Sequence, residues 1–257
     1  NTSEERLNIL LRFIESATNK DIVADGVLAR FDATYSNEVV SVEDAEQIIN
    51  WDEDIALQRG GKSLSIESRK PITTKDTLFL QIANLKAAQS SYRWVMAPQN
   101  FATDGSLVAF LEDAYTGSRK AVSLTDSTTI NFTVNNNAGS TAANRFRIVF
   151  TERTLYYSKA TNTEASDINS WSSTPDGTGN SPANFDEVAN FIVQQNHKLQ
   201  ATSNMNLTQG SLTLQPYAGI NHTATISLTG NLENNGSLTG SGVVILNASI
   251  PQYISGT

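Results

Sequence analysis

The chain has 257 residues and a net charge of −8, with 39% hydrophobic residues, 17% charged residues and no cysteine. Acidity and the scarcity of Lys and Arg argue against nucleic acid or an anionic membrane surface as partner. No apolar run reaches the roughly 20 residues of a membrane span, and the absence of cysteine excludes thiol catalysis, thiolate metal sites and disulfides.

In chain order, RLNILLRFIE (6–15) alternates Leu7, Ile9, Leu11 and Phe13 with polar neighbours. That is the period of a half-buried strand. Leu10 and Ile14 break the pattern, and Leu7, Leu10, Leu11 and Ile14 also fit a helical period, so both forms stay open. VLARFDA (27–33) follows as a strand. SVEDAEQIIN (41–50) suggests a short helical insertion, with Ser41 as cap and Asp44 at the third position after it. Next come SLSIES, TLFLQIANL, YRWVMA, LVAFLED, KAVSL, TINFTV and RFRIVF. Each is short, alternating, and rich in β-branched or aromatic residues. Turn signals separate them at 59–62, 103–106, 115–119 and 134–140. Eight or nine short strands over about 150 residues point to an antiparallel β-sandwich of jelly-roll type.

Near residues 151–160 the composition changes. Of the 18 Lys and Arg residues, only Lys198 lies beyond residue 159. Such a shift marks a boundary, and we expect a sandwich over 1–153 and a second unit over 154–257. From Ala189 onward, short apolar beats run through a polar matrix: NFIV, HKLQA, MNLTQ, SLTLQ, ATISLTG, GSLTG and VVILN. LTG recurs at 228–230 and 238–240. Weak self-similarity of this kind suggests a β-solenoid whose rungs share a core and whose Asn and Thr side chains ladder from rung to rung. An elongated sandwich edge is the competing form. A few rungs alone make a marginal stack, so the expectation is a piece of a longer chain.

Little of this looks like chemistry. His197 and His222 have no partner motif, which places them on the surface or in ladders. WDEDI offers Asp52 and Asp54, which on one strand face could hold calcium with backbone carbonyls; a solvated acidic loop is the plainer reading. Glu112 and Asp113 are strand neighbours and point to opposite faces, so they form no glycosidase dyad. Tyr92 and Trp94 share a face, which means either core or a sugar-stacking platform. In NSWSSTPDGTGNSPANF (169–185), Trp171 stands among turn formers. It either closes the end of the solenoid core, packs in a joint, or offers a sugar platform. PDGTG supplies the turn, with Gly177 and Gly179 able to take positive φ.

Several strings together carry a resemblance. DGVLARFDATYS (25–36), SLSIES (63–68), FLEDAYTGSRKAVSL (110–124) and NRFRIVF (144–150), followed by LYYSKATNTEASDINSWSSTPDGTGNSPANF (155–185), resemble interior β-sandwich and repetitive β modules of very large Bacteroidota surface proteins. The resemblance implies export by the type IX system, an extracellular place at the cell surface, and a role like that of gliding or attachment adhesins. It implies surface glycans, other cell-surface proteins and the export machinery as partners.

The expectation is therefore an all-β chain, a jelly-roll-like sandwich followed by a short solenoid-like unit. Its role is structural or adhesive and non-catalytic, with no catalytic, cofactor or metal residue assigned. The alternative is a carbohydrate-binding module of a secreted polysaccharide-degrading enzyme.

Overall fold

A computed structural model describes residues 4–15, 17–48, 50–87, 91–101 and 106–257. Most of the turn expected at 103–106 lies outside the described residues. The chain is all-β, and its helical content among the described residues is two 3-10 turns, Ala138–Thr141 and Ile168–Ser170. It divides into two compact units, Asn1–Thr151 and Glu152–Thr257.

The first unit contains β1 (Glu5–Glu15), β2 (Lys20–Phe31), β3 (Ala45–Glu46), β4 (Asp54–Arg59), β5 (Lys62–Arg69), β6 (Thr77–Ala83), β7 (Ser91–Gln99), β8 (Leu107–Asp113), β9 (Ser118–Val122), β10 (Thr128–Thr133) and β11 (Phe146–Glu152). They form one continuous sheet in the order β10-β7-β1-β2-β5-β4-β6-β11-β8-β9, with β3 against β5 off this path. The β2–β5 pair is parallel, a departure from a fully antiparallel sandwich. β1 settles its own ambiguity as a strand. A register shift between Leu11 and Arg12 absorbs the break in alternation, and Leu7, Ile9 and Leu11 are fully buried.

The aromatic core shows how the sheet closes. Trp94 on β7 and Phe132 on β10 stack at 5.6 Å, and Phe146 on β11 meets them edge-on at 5.3 and 4.8 Å. β7 and β11 stand six strands apart in the sheet order, so the sheet folds back on itself and buries one shared face. That makes a sandwich from a single sheet, and the outer face is mostly polar, with a few apolar side chains such as Phe79 and Val23 exposed on it.

No helix forms among the described residues of 41–50. Residues 41–43 make a turn and Ala45–Glu46 pairs with β5. Asp44 explains the difference. Its carboxylate takes two hydrogen bonds from Arg59 Nη2 at 2.8 Å and one from Ser68 N at 2.7 Å, and only Val40 N is local. A long-range buried ion pair outweighs a weak two-turn propensity.

The second unit begins with β12 (Thr154–Ser158) and β13 (Trp171–Ser172). β14 (Ala189–Val193), β15 (Lys198–Ala201) and β16 (Met205–Leu207) make the first rung. β17 (Gly210–Leu214), β18 (Gly219–His222) and β19 (Ile226–Leu228) make the second. β20 (Leu232–Asn234), β21 (Ser237–Thr239) and β22 (Val244–Leu246) make the third, and β23 (Ile254–Gly256) opens a fourth. These strands stack in parallel as three sheets. Inward columns run Phe191, Leu212, Leu232; Leu199, Ile220, Leu238; and Met205, Ile226, Val244, and Ile254 continues the first in register although it is exposed. Their continuous contact is the core of a solenoid-like unit.

The rungs are also tied on the outside. Asn190 Nδ2 donates to Thr213 Oγ1 at 3.1 Å, Asn221 Nδ2 to Gln200 Oε1 at 3.2 Å, and Ser227 Oγ to Asn206 Oδ1 at 2.7 Å. These are the expected ladders. They satisfy each amide between rungs without placing charge above charge.

Candidate functional site

Of the two readings open for Tyr92 and Trp94, the fold takes the core. Tyr92 and Trp94 are 1% and 0% exposed and belong to the first core. The Tyr92 hydroxyl donates to Glu53 Oε1 at 2.9 Å and accepts from Lys86 N at 2.9 Å. Burial pushes its pKa up, as does Glu53. Neither ring is a sugar platform. Asp52 and Asp54 do not share a site: Asp52 faces solvent and pairs with Lys86 Nζ at 2.9 Å. Asp54 is buried and accepts from Gln47 Nε2 at 2.9 Å and Asn50 N at 3.2 Å. Each carboxylate is engaged by protein donors. Among the described residues no group of three or more His, Cys, Asp or Glu could hold a metal ion.

Trp171 is fully buried on β13, the outermost strand of its sheet. Its ring meets Phe191 edge-on at 5.1 Å, and its Nε1 donates to Ala165 O at 2.9 Å. It closes the core ahead of the first rung. In the following turn, Gly177 takes φ +78°. Gly179 does not take positive φ. It is needed for close approach, because a Cβ there would stand 2.5 Å from Ser173 Oγ.

The histidines are both internal ties. His197 Nδ1 lies 2.8 Å from the hydroxyl of fully buried Ser158, which also accepts from Gln194 N at 3.0 Å. A serine with no access to solvent is not a nucleophile in this setting. His222, expected on the surface or in a ladder, turns inward at 6% exposure, with Nδ1 3.3 Å from Ala224 O. It follows Ile220 by two residues on β18, so strand alternation aims both at the interior.

The outer face of the sandwich carries the arrangement that looks made for a ligand. Phe79 on β6 is 49% exposed. Its neighbours Leu78 and Leu80 are buried, so alternation turns the aromatic ring outward. In the sheet, Phe79 lies opposite Gln58 of β4 on one side and Arg147 of β11 on the other. Arg147 Nε donates to Glu112 Oε2 of β8 at 2.7 Å, and Glu112 stands opposite Arg119 of β9. A row of Gln58, Phe79, Arg147, Glu112 and Arg119 thus crosses five adjacent strands. Strand pairing aligns Gln58, Phe79 and Arg147 and sets Glu112 beside Arg119, and the Arg147–Glu112 hydrogen bond joins the two.

Two hollows adjoin this row and share Phe79 and Asn144. The smaller, about 370 Å³, is lined by Gln58, Phe79, Gln81 and Asn144 among others. The larger, about 550 Å³, takes in Glu112, Arg119, Asn144, Arg145 and Arg147. Its floor is fixed. Arg145 grips Asp113 through Nε and Nη2, both at 2.8 Å, and its Nη1 donates to the carbonyls of Thr133 and Ser140 at 2.9 and 2.7 Å. Burial works to raise the Asp113 carboxyl, and Arg145 outweighs it, so the net direction is downward. On the other side of Phe79, the amide of Gln58 donates to Ser63 Oγ at 2.5 Å and to Gln81 Oε1.

An open aromatic face beside carboxamides, guanidinia and a carboxylate is the equipment of sugar recognition. The ring packs against the C–H face of a pyranose, and the planar polar groups take its hydroxyls in pairs. Phe79 was not among the sequence candidates, although its signal is there: in TLFLQIA the Leu and Ile residues take one parity, leaving an aromatic on the polar parity. Comparison with protein-family models, with curated proteins and with solved structures finds no match.

Proposed function

We propose that this chain is a non-catalytic, adhesive segment of a secreted bacterial cell-surface protein, and that it holds glycan on the outer face around Phe79. The observation that carries this reading is the row Gln58–Phe79–Arg147–Glu112–Arg119 with its two hollows. The resemblance of 25–36, 63–68, 110–124, 144–150 and 155–185 to modules of large Bacteroidota surface proteins supports a cell-surface location and type IX export. The solenoid-like unit suits a spacer, since stacked rungs give length and hide backbone from proteases. Non-catalysis is supported by the use of Asp44, Glu53, Asp54, Glu67 and Asp113 in buried hydrogen bonds and ion pairs. The same face would serve a carbohydrate-binding module of a polysaccharide-degrading enzyme, and the two readings differ in the neighbours of this segment rather than in the site.

The test is a glycan-array screen of the 257-residue chain, with calcium and with chelator. Binding that Phe79→Ala abolishes and chelator leaves intact supports the reading. Loss on changing Trp51, which is 100% exposed in a bend before β4, with Phe79→Ala silent, moves the site elsewhere. Absence of binding by folded protein leaves a spacer role in place of an adhesive one.

A further inference from the structure

We infer that the larger hollow selects a carboxylated sugar, so that the ligand of the Phe79 face is a glycan containing hexuronic acid. This rests on the glycan reading above and deepens it. Arg145 and Asp113 neutralise one another in the floor, and all three nitrogens of Arg145 are spent within the protein. Above that floor stand two guanidinia and one carboxylate. Glu112 engages both through their Nε atoms, at 2.7 Å for Arg147 and 3.6 Å for Arg119. Among the described residues, the terminal Nη groups of Arg147 and Arg119 make no hydrogen bond to protein. Their side chains are 53% and 39% exposed.

The face therefore holds one surplus positive charge on a chain of net −8. Local surplus against the global sign is what steers and seats an anion. Arg119 is also held in place, its guanidinium 3.9 Å from the centre of the Phe110 ring. Phe110 lies outside the sandwich core and serves as its platform. Two planar forks with free outer edges match a carboxylate better than a hydroxyl. Phe79 and Asn144 border both hollows, so a pyranose on the Phe79 ring places its substituent toward the arginines. An acidic peptide would use the arginines and leave the exposed face of Phe79 without a purpose.

The experiment compares binding of an oligogalacturonate, of the same oligosaccharide after reduction of its carboxyl groups, and of poly-glutamate. The wild-type chain is expected to bind the oligogalacturonate about tenfold more tightly than the reduced form, the weight of one charge-assisted hydrogen bond. Arg119→Gln with Arg147→Gln removes that difference, so that the two oligosaccharides bind this variant equally. Phe79→Ala weakens both sugars about equally. Circular dichroism checks that each variant is folded. Equal binding of the two sugars by wild type overturns the acidic selection and leaves glycan binding standing. Binding of neither sugar, on an array also blank, overturns both. Poly-glutamate competing as well as the oligogalacturonate overturns the assignment to a sugar.

Discussion

Trp171 and Phe79 show how much a single side chain decides in this molecule. Trp171 is fully buried, with one ring contact and one hydrogen bond that nothing else can supply. Trp171→Ala leaves a cavity ahead of the first rung, and a loss of about 3–5 kcal/mol is expected. Thermal unfolding followed by far-UV circular dichroism measures it. Phe79→Ala, by contrast, removes a half-exposed ring and is expected to change stability by about 0.5 kcal/mol or less. The role of Trp171 was legible because a lone large aromatic among turn residues has few homes other than a core end. Phe79 was overlooked because an aromatic inside an apolar run looks like core until its parity is counted. Trp94 stayed open between core and platform in the sequence, because whether its face looks in or out depends on how the whole sheet folds over; the fold makes it core. Glu4 gives a residue-scale test in pH. Hydrogen bonds from Arg30, then Arg6 and Tyr35, hold its carboxyl at about 2, below an ordinary value of 4.5. The folded value is depressed, so the stabilisation is present above 4.5 and is lost as pH falls toward 2. Its size is roughly 1 kcal/mol once solvent screening is allowed for. Denaturant titrations across that window are expected to show stability falling with acid, with a flatter slope in Glu4→Gln. Glu67 acts in the opposite sense. Burial raises its carboxyl against Arg59 and Arg69, so its contribution is greatest at low pH and fades as pH rises through the raised value.

At the scale of elements, the rung is the unit that can be added or spoiled. Phe191, Leu212, Leu232 and Ile254 stack in register, with steps of 21, 20 and 22 residues. The two LTG triplets suggested a shorter beat. They are ten residues apart and fall on different sheets, Leu228 over Leu207 and Leu238 over Ile220. The true repeat matches MNLTQGSLTL (205–214) with ISLTGNLEN (226–234), one residue shorter. Corner lengths vary while the inward columns do not, and this hid the period. The existence of ladders was readable from composition because only small neutral polar side chains stack well on themselves. Two insertions test the register. A second copy of residues 212–231 placed after Asn231 adds one rung with every column continued, and unit stability is expected to hold or rise. A single Ser inserted within β19 turns Ile226 or Leu228 outward, and a loss of about 2–4 kcal/mol is expected from the exposed side chain and broken column. Guanidinium unfolding of both proteins against wild type decides it. Equal tolerance of both insertions would be incompatible with a stacked, registered core.

For the whole molecule, the charge distribution and the two cores have one explanation. In the sandwich, outer-face charges pair: Arg147 with Glu112, Lys62 with Glu46, and where arginines stand opposite one another, Arg6 with Arg30 and Arg12 with Arg93, Glu4 and Asp21 join them. In the solenoid-like unit, equivalent positions recur one strand spacing apart, about 4.8 Å. A charge repeated there would face its own kind, which is destabilising. The second unit therefore uses Asn, Thr, Ser and Gln on its outside, and the basic residues nearly vanish beyond residue 159. The change of composition near 151–160 has this reason, and the two compact units divide between Thr151 and Glu152. The buried residues fall into two clusters without a shared member, one built around Trp94, Phe132 and Phe146, the other around Trp171, Phe191 and the leucine columns. A cooperative transition follows a shared core. Calorimetry of the whole chain is expected to need two components. Trp94→Ala shifts the component of the sandwich, Trp171→Ala shifts the other, and the double variant shows both shifts with little coupling. A single transition moved as a block by either substitution would mean that the two cores unfold as one.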